Sequence, residues 1–355
     1  MSTVKLADLT CAPVKALTPY QVKNFNCPVK LHANENPFRL PEEISARFQE
    51  RLKELSLNRY PDSDSQSLKQ TLSERSGIPT ENLVIGNGSD ELIQLILQVF
   101  CVQESSVAFP DPTFGMYSII AQGMGLNPRV YPLDEKWDFQ ADPLLETVER
   151  HDARIIFFSY PNNPTGNCFS KDEIQKVIEN FQGIVVVDEA YHDFAKTSFV
   201  QQAKDHNNLI ILRSLSKIGL AGLRVGYGIA DPFIIQQINK VRLPYNSNVL
   251  SQTFSEIVLK HFSPIQTQID QIIEERERVY QALSNVKSLT VFPSDSNFIL
   301  FQMEQDAGVV FNRLMERGVL IRNLSGHPRL KNCLRVTVGA REENDQFLAQ
   351  INNLS

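Results

Sequence analysis

The feature that most constrains this chain is the alternation of short, β-branched apolar runs with helical patterns. Ile184–Val187, Leu209–Leu212 and Leu223–Ile229 look like strands buried on both faces. Leu83–Ile85 leads through Gly86-Asn87-Gly88 into a helix over about Asp90–Phe100. Ile155–Phe158 ends in a turn-rich stretch, and a helix over about Lys171–Asn180 follows. Apolar strands separated by helices predict βαβ units and a mainly parallel sheet, with the chemistry in loops beyond the strand ends. A length of 355 residues allows a large α/β core with a smaller second domain.

Residues 1–40 contain Pro13, Pro19, Pro28 and Pro37, which suits an extended arm that joins the smaller domain. The large domain is expected over 41–250 and the small one over 251–355. A charged helix from about Ile265 to Val286 leads into the latter. There, strands at Phe298–Gln302 and Leu334–Val338 and a helix near Val309–Arg317 suggest an α+β unit.

Composition excludes several classes of function. Hydrophobic residues at 42% rule out intrinsic disorder. Lys plus Arg total 35 against 41 Asp plus Glu, a net charge of −6, which argues against a general nucleic-acid binder or a polybasic membrane-surface protein. Five scattered cysteines without a Cys-x-x-Cys pair suggest reduced thiols, and no metal is expected. The N-terminus lacks the apolar core of a signal peptide, and no run reaches about 18 apolar residues. A cytoplasmic location is expected.

Four loops carry polar residues that a plain connection does not need. Gly86-Asn87-Gly88-Ser89-Asp90 can present backbone N–H groups to an anion, although a helix cap at Ser89 or Asp90 explains it equally well. Tyr160-Pro161-Asn162-Asn163-Pro164-Thr165-Gly166 is a rigid turn that can aim an amide. Asp188-Glu189-Ala190-Tyr191 puts acid directly beyond an apolar strand, which is costly without a cationic partner. Ser214-Leu215-Ser216-Lys217, followed by Gly219, Gly222 and Arg224, offers two hydroxyls and an arginine for a phosphate. If that segment is extended, Lys217 points away from the serines.

Taken in order, these motifs resemble the fold-type I pyridoxal-phosphate aminotransferases of the aspartate aminotransferase superfamily. The resemblance implies a mainly parallel seven-stranded sheet domain with a smaller α+β domain, and pyridoxal 5'-phosphate as cofactor. Lys217 resembles the lysine that binds the cofactor and later moves the proton. By the same resemblance Asp188 pairs with the pyridine nitrogen, while Tyr191 and Asn163 bond the ring's phenolic oxygen. Ala190 and Phe114 would cover the two ring faces. Ser214, Ser216, Arg224 and the amides of Gly88, Ser89 and Asp90 would hold the phosphate. Tyr60 resembles the tyrosine that reaches this phosphate from the other subunit, so a homodimer is implied. Two departures stand out: Phe114 replaces a frequent tyrosine, and Arg224 follows Lys217 by seven positions where many relatives have eight.

Leu31-His32-Ala33-Asn34-Glu35-Asn36-Pro37 is similar to the opening motif of the histidinol-phosphate branch, as are the segments holding Arg322 and Arg335. In that branch the two arginines grip the substrate phosphate, and Arg335 alternatively takes the glutamate carboxylate, roles suited to the planar guanidinium fork. Tyr20 and Asn36 complete the implied substrate contacts. The implied reaction exchanges an amino group between histidinol phosphate and 2-oxoglutarate, giving imidazole-acetol phosphate and glutamate, a step of histidine biosynthesis. An aromatic-amino-acid aminotransferase, a phospho-amino-acid decarboxylase and a non-catalytic ligand-binding protein remain as alternatives.

Overall fold

The computed structural model describes residues 6–19 and 25–352, so Tyr20 lies outside the described residues. Seven strands form the central sheet: β1 Leu83–Asn87, β2 Ser106–Asp111, β3 Asn127–Pro132, β4 Ala153–Ser159, β5 Ile184–Asp188, β6 Leu209–Ser214 and β7 Val225–Ile229. They lie in the order β1-β7-β6-β5-β4-β2-β3. β7 is antiparallel to both of its neighbours, and the other ladders are parallel. The sheet is therefore mainly parallel, as the alternating pattern predicts. The runs Ile184–Val187 of β5 and Leu209–Leu212 of β6 are apolar because helices cover both faces, and Val185, Val186, Ile210 and Ile211 are all buried.

The reversal of β7 matters for the site. Parallel strands deliver their C-terminal loops to one edge of the sheet, and β7 begins at that edge, so Arg224 meets the ends of β1 and β6. The strand is shorter than the sequence suggests. Ala221–Leu223 forms a 3-10 turn and Arg224 is left-handed at φ 54°, so β7 starts only at Val225.

The N-terminal segment is woven into the C-terminal half. Val29–Lys30 pairs in parallel with Val319–Leu320, and the Thr337 amide donates to the Leu31 carbonyl. Beyond it lies a four-stranded antiparallel sheet of Arg322–Asn323, Cys333–Thr337, Phe298–Met303 and Leu289–Val291. Val249–Lys260 and Ser263–Ser284 are the helices that connect the two sheets. Phe254 of the first packs its ring on Phe48, 4.1 Å between centroids, so that helix is anchored on helix Glu42–Leu52. Residue 250 thus falls inside a helix rather than in a linker.

The acid that follows β5 has its charge partner. Glu189 is fully buried and accepts from Arg213 Nε and Nη2 at 3.0 and 2.9 Å, from Ser198 and from the Phe199 amide. Desolvating such a pair is tolerated because nearly every lone pair is filled. Arg213→Leu leaves Glu189 buried without its cation. We expect a loss of about 3–5 kcal/mol of stability, read from the urea midpoint of the cofactor-free protein.

Candidate active site

Backbone geometry at three strand ends builds the floor of a cavity lined by Ser89, Asp90, Asp188, Tyr191, Ser214 and Lys217, among others. A broader groove of about 850 Å³ opens at the opposite ends of β4 and β5, and it contains none of these groups.

After β1, Gly88 adopts φ 80° and is itself the cap of helix Ser89–Phe100; neither Ser89 nor Asp90 plays that part. No side chain caps this helix start, so its first amides keep their donors and its dipole favours an anion. A Cβ on residue 88 would lie 2.6 Å from Arg224 Nη2, so only glycine lets the guanidinium approach. Arg224 Nη2 also reaches Asp90 Oδ2 at 3.3 Å.

After β6, the segment carrying Lys217 is not extended. Ser214 ends the strand, and Ser216–Leu220 forms a wide helical turn in which the Leu220 amide donates to the Leu215 carbonyl. Serine and lysine directions are thus set by a turn rather than by strand alternation. Gly219 at φ 108° stands inside this turn in a conformation that glycine adopts readily. Ser214 Oγ accepts the Ser216 amide, and both serines line the cavity. The Lys217 amine sits 5.6 Å from the Tyr191 ring centroid.

At the end of β5, Asp188 is 3% exposed and accepts from the Tyr117 hydroxyl at 2.9 Å and from the Ala190 amide at 3.1 Å. Among the described residues it has no ion-pair partner; Arg213 belongs to Glu189. Burial pushes the Asp188 carboxyl up to about 6, while the two donated bonds pull it down. Burial and the neighbouring carboxylate raise the Tyr117 phenol well above its usual value, so it stays a donor.

Tyr191, 4% exposed, receives bonds from Asn34 Nδ2 at 2.9 Å and Asn163 Nδ2 at 3.2 Å. Asn163 Oδ1 accepts from Arg335, which is 8% exposed. Arg335 faces Arg322 directly across an antiparallel ladder, so both side chains leave the same face. Two like charges at such a site repel unless an anion lies between them. Burial lowers the pKa of His32, and the charges of Arg322 and Arg335 add to that effect. Ala190 and Phe114 line the cavity.

Two expected contacts lie elsewhere in this chain. Tyr60 is 81% exposed and stacks on Tyr245 at 4.5 Å, outside the cavity. Asn36 accepts the Phe38 amide and donates to Gln268 at 3.4 Å, which makes it a turn-holding residue here.

Comparison with known proteins decides the family. A model described as aminotransferase class I and II matches residues 28–351. The chain belongs to this aminotransferase family. Histidinol-phosphate aminotransferase 2 of Nitrosococcus oceani is 40% identical over 98% of this chain and 98% of its own length. The histidinol-phosphate aminotransferase of Aquifex aeolicus is 40% identical over 94% and 95%. Among solved structures, a histidinol-phosphate aminotransferase of Sinorhizobium meliloti in complex with pyridoxal-5'-phosphate superposes with TM-score 0.87 at 22% identity, covering 98% of each chain. L-threonine-O-3-phosphate decarboxylase of Porphyromonas gingivalis shares the fold at TM-score 0.80 and 21% identity, over 92% of this chain and 99% of its own.

Sequence reasoning on this aminotransferase missed Tyr117 and the part played by Asn34. Tyr117 carries no local signal, since its partner is 71 positions away. Asn34 had one: it stands in the quoted opening motif, between an alanine and a glutamate, in a stretch rich in amides.

The raised Asp188 value has a consequence for the cofactor-free aminotransferase. Its folded form holds the proton more tightly than the unfolded chain, whose value is about 3.8, so this group's contribution falls as pH rises from about 4 to 6 and stays low above. Asp188→Asn is expected to raise the stability of the cofactor-free protein at pH 7 by about 2 kcal/mol, with little gain at pH 4. Thermal melts of both forms at the two pH values test this.

Proposed function

We propose that this aminotransferase uses pyridoxal 5'-phosphate to exchange the amino group of L-histidinol phosphate with 2-oxoglutarate, giving imidazole-acetol phosphate and glutamate. One observation carries the substrate reading. Arg335, nearly buried, bonds the cavity's Asn163 while Arg322 stands opposite it across the ladder, a paired cation suited to a phosphate or a carboxylate. The 40% identity to named histidinol-phosphate aminotransferases supports the same choice.

The residues fit the cofactor. The uncapped helix start at Gly88, Ser89 and Asp90, with Ser214, Ser216 and Arg224, forms an anion cradle. Asp188, a buried carboxylate without a cation among the described residues, suits a protonated ring nitrogen. Phe114 and Ala190 would cover the ring faces, and Tyr191 with Asn163 would meet its phenolic oxygen. When bound, pyridoxal phosphate supplies a carbonyl that joins the substrate amine and a ring that draws electrons from its α-carbon.

Every other task falls to the chain. Lys217 anchors the cofactor and is the base placed to hold or move the substrate's α-proton. Asp188 keeps a positive charge on the ring nitrogen, and the aromatic and alanine walls exclude water. Arg335 and Arg322 orient substrate by its anion. We further propose a homodimer in which exposed Tyr60 completes the phosphate site of the other subunit, and a cytoplasmic location.

Lys217→Ala should abolish borohydride trapping of the cofactor and lower turnover by at least about a thousandfold. In a substrate panel on the pure protein, histidinol phosphate should far exceed phenylalanine as amino donor. Arg322→Ala should raise KM for histidinol phosphate by about 10–100-fold, the worth of a charge-assisted contact, and leave phenylalanine unaffected. Unchanged affinity for histidinol phosphate in that variant would sink the phosphate-grip assignment.

A further inference from the structure

The hydrogen bonds around Tyr191 share one polarity. Arg335 has only donors, so it must face Asn163 Oδ1, which turns Asn163 Nδ2 toward the Tyr191 oxygen at 3.2 Å. On the other side, Thr337 Oγ1 accepts the Asn34 amide at 2.9 Å. Its hydroxyl donates to Asn34 Oδ1 at 3.2 Å, and Asn34 Nδ2 donates to the same phenol oxygen at 2.9 Å. Two amide N–H groups therefore converge on Tyr191, and an amide nitrogen accepts nothing in return. The phenol cannot donate to either neighbour. Its own O–H must point into the cavity that Tyr191 lines.

Asn34 is built for this. It is 2% exposed, and its backbone stands at φ 55°, a region asparagine tolerates better than most residues. Asn297 Nδ2 clamps its carbonyl at 3.0 Å. Thr337 and Asn297 flank the strands of the small sheet, so the small domain reaches the phenol through one side chain.

We propose that Asn34 is a positioning residue that, with Thr337, fixes the Tyr191 hydroxyl as a donor aimed at the cofactor's phenolic oxygen. The inference rests on the pyridoxal-phosphate reading above and deepens it. A hydrogen bond donated to that oxygen weakens its hold on the proton it shares with the lysine nitrogen. Losing the bond strengthens that hold and moves the titration of the lysine-bound cofactor upward. The other charges of the cavity, Lys217, Asp188, Glu35, Asp90 and Arg224, and Arg335 behind Asn163, stay in place when Asn34 changes.

The experiment is a pH titration of the visible absorbance of the holoenzyme. Asn34→Gly removes the amide but keeps the positive φ accessible, and its midpoint should rise by about one unit. Tyr191→Phe should rise at least as far, and the double variant should rise no further, because both changes remove one bond. Thr337→Val, which keeps the Asn34 side chain but removes the hydroxyl that bonds both its Oδ1 and its backbone N–H, should reproduce part of the rise, and Thr337→Ser should keep the wild-type midpoint. An unmoved midpoint in cofactor-loaded Asn34→Gly and Thr337→Val overturns the proposal, as does a rise that adds fully to that of Tyr191→Phe. A wild-type protein with no titrating visible band would instead overturn the cofactor reading itself.

Discussion

A carboxylate held at 3% exposure at the end of a parallel strand organises the rest of this molecule. Burial draws the Asp188 pKa up to about 6, and its two neutral donors, with no cation among the described residues, offset that only in part. A chain retains such a group against its stability cost when a ligand supplies the missing charge. The adjacent residue makes the contrast plain. Glu189 is buried more deeply still, yet Arg213, the Ser198 hydroxyl and the Phe199 amide complete it. One acid is structural and its neighbour is left poised for a partner.

The geometry above that carboxylate follows from how the sheet is threaded. Parallel strands bring Gly88, Asp188 and Ser214 to one edge, and the reversed β7 brings Arg224 to the same edge from the other direction. The small sheet then closes the cavity from the side. Arg335 touches Asn163, Asn34 touches Tyr191, and His327 bonds Asp111 at 3.0 Å just ahead of the loop that carries Phe114. Each of these contacts crosses from one end of the chain to its middle, so the cavity depends on both sheets.

Much of this was legible in the amino-acid order. Buried parallel strands announce themselves by unbroken β-branched runs, and the polar loops after them mark the functional edge. The readings that differed share a cause. Ser216 and Lys217 were expected on an extended segment, but they lie on an i→i+5 turn with Gly219 at φ 108°. Gly88 rather than Ser89 or Asp90 caps its helix, at φ 80° and with the guanidinium of Arg224 in the space a side chain there would need. Local chemistry was right in both places, and a neighbour remote in sequence selected the backbone.

By itself the sequence determined the chemical inventory: a lysine among serines, an acid after an apolar strand, a glycine-led helix start and arginines near the C-terminal end. Those are properties of residues and their immediate neighbours. Only the tertiary structure decided that Tyr117 bonds Asp188 from 71 positions away, that Arg322 stands opposite Arg335, and that Asn34 meets the Tyr191 oxygen. Ladder register and the direction of each donor exist only once the strands are paired, and the order of the residues does not contain them.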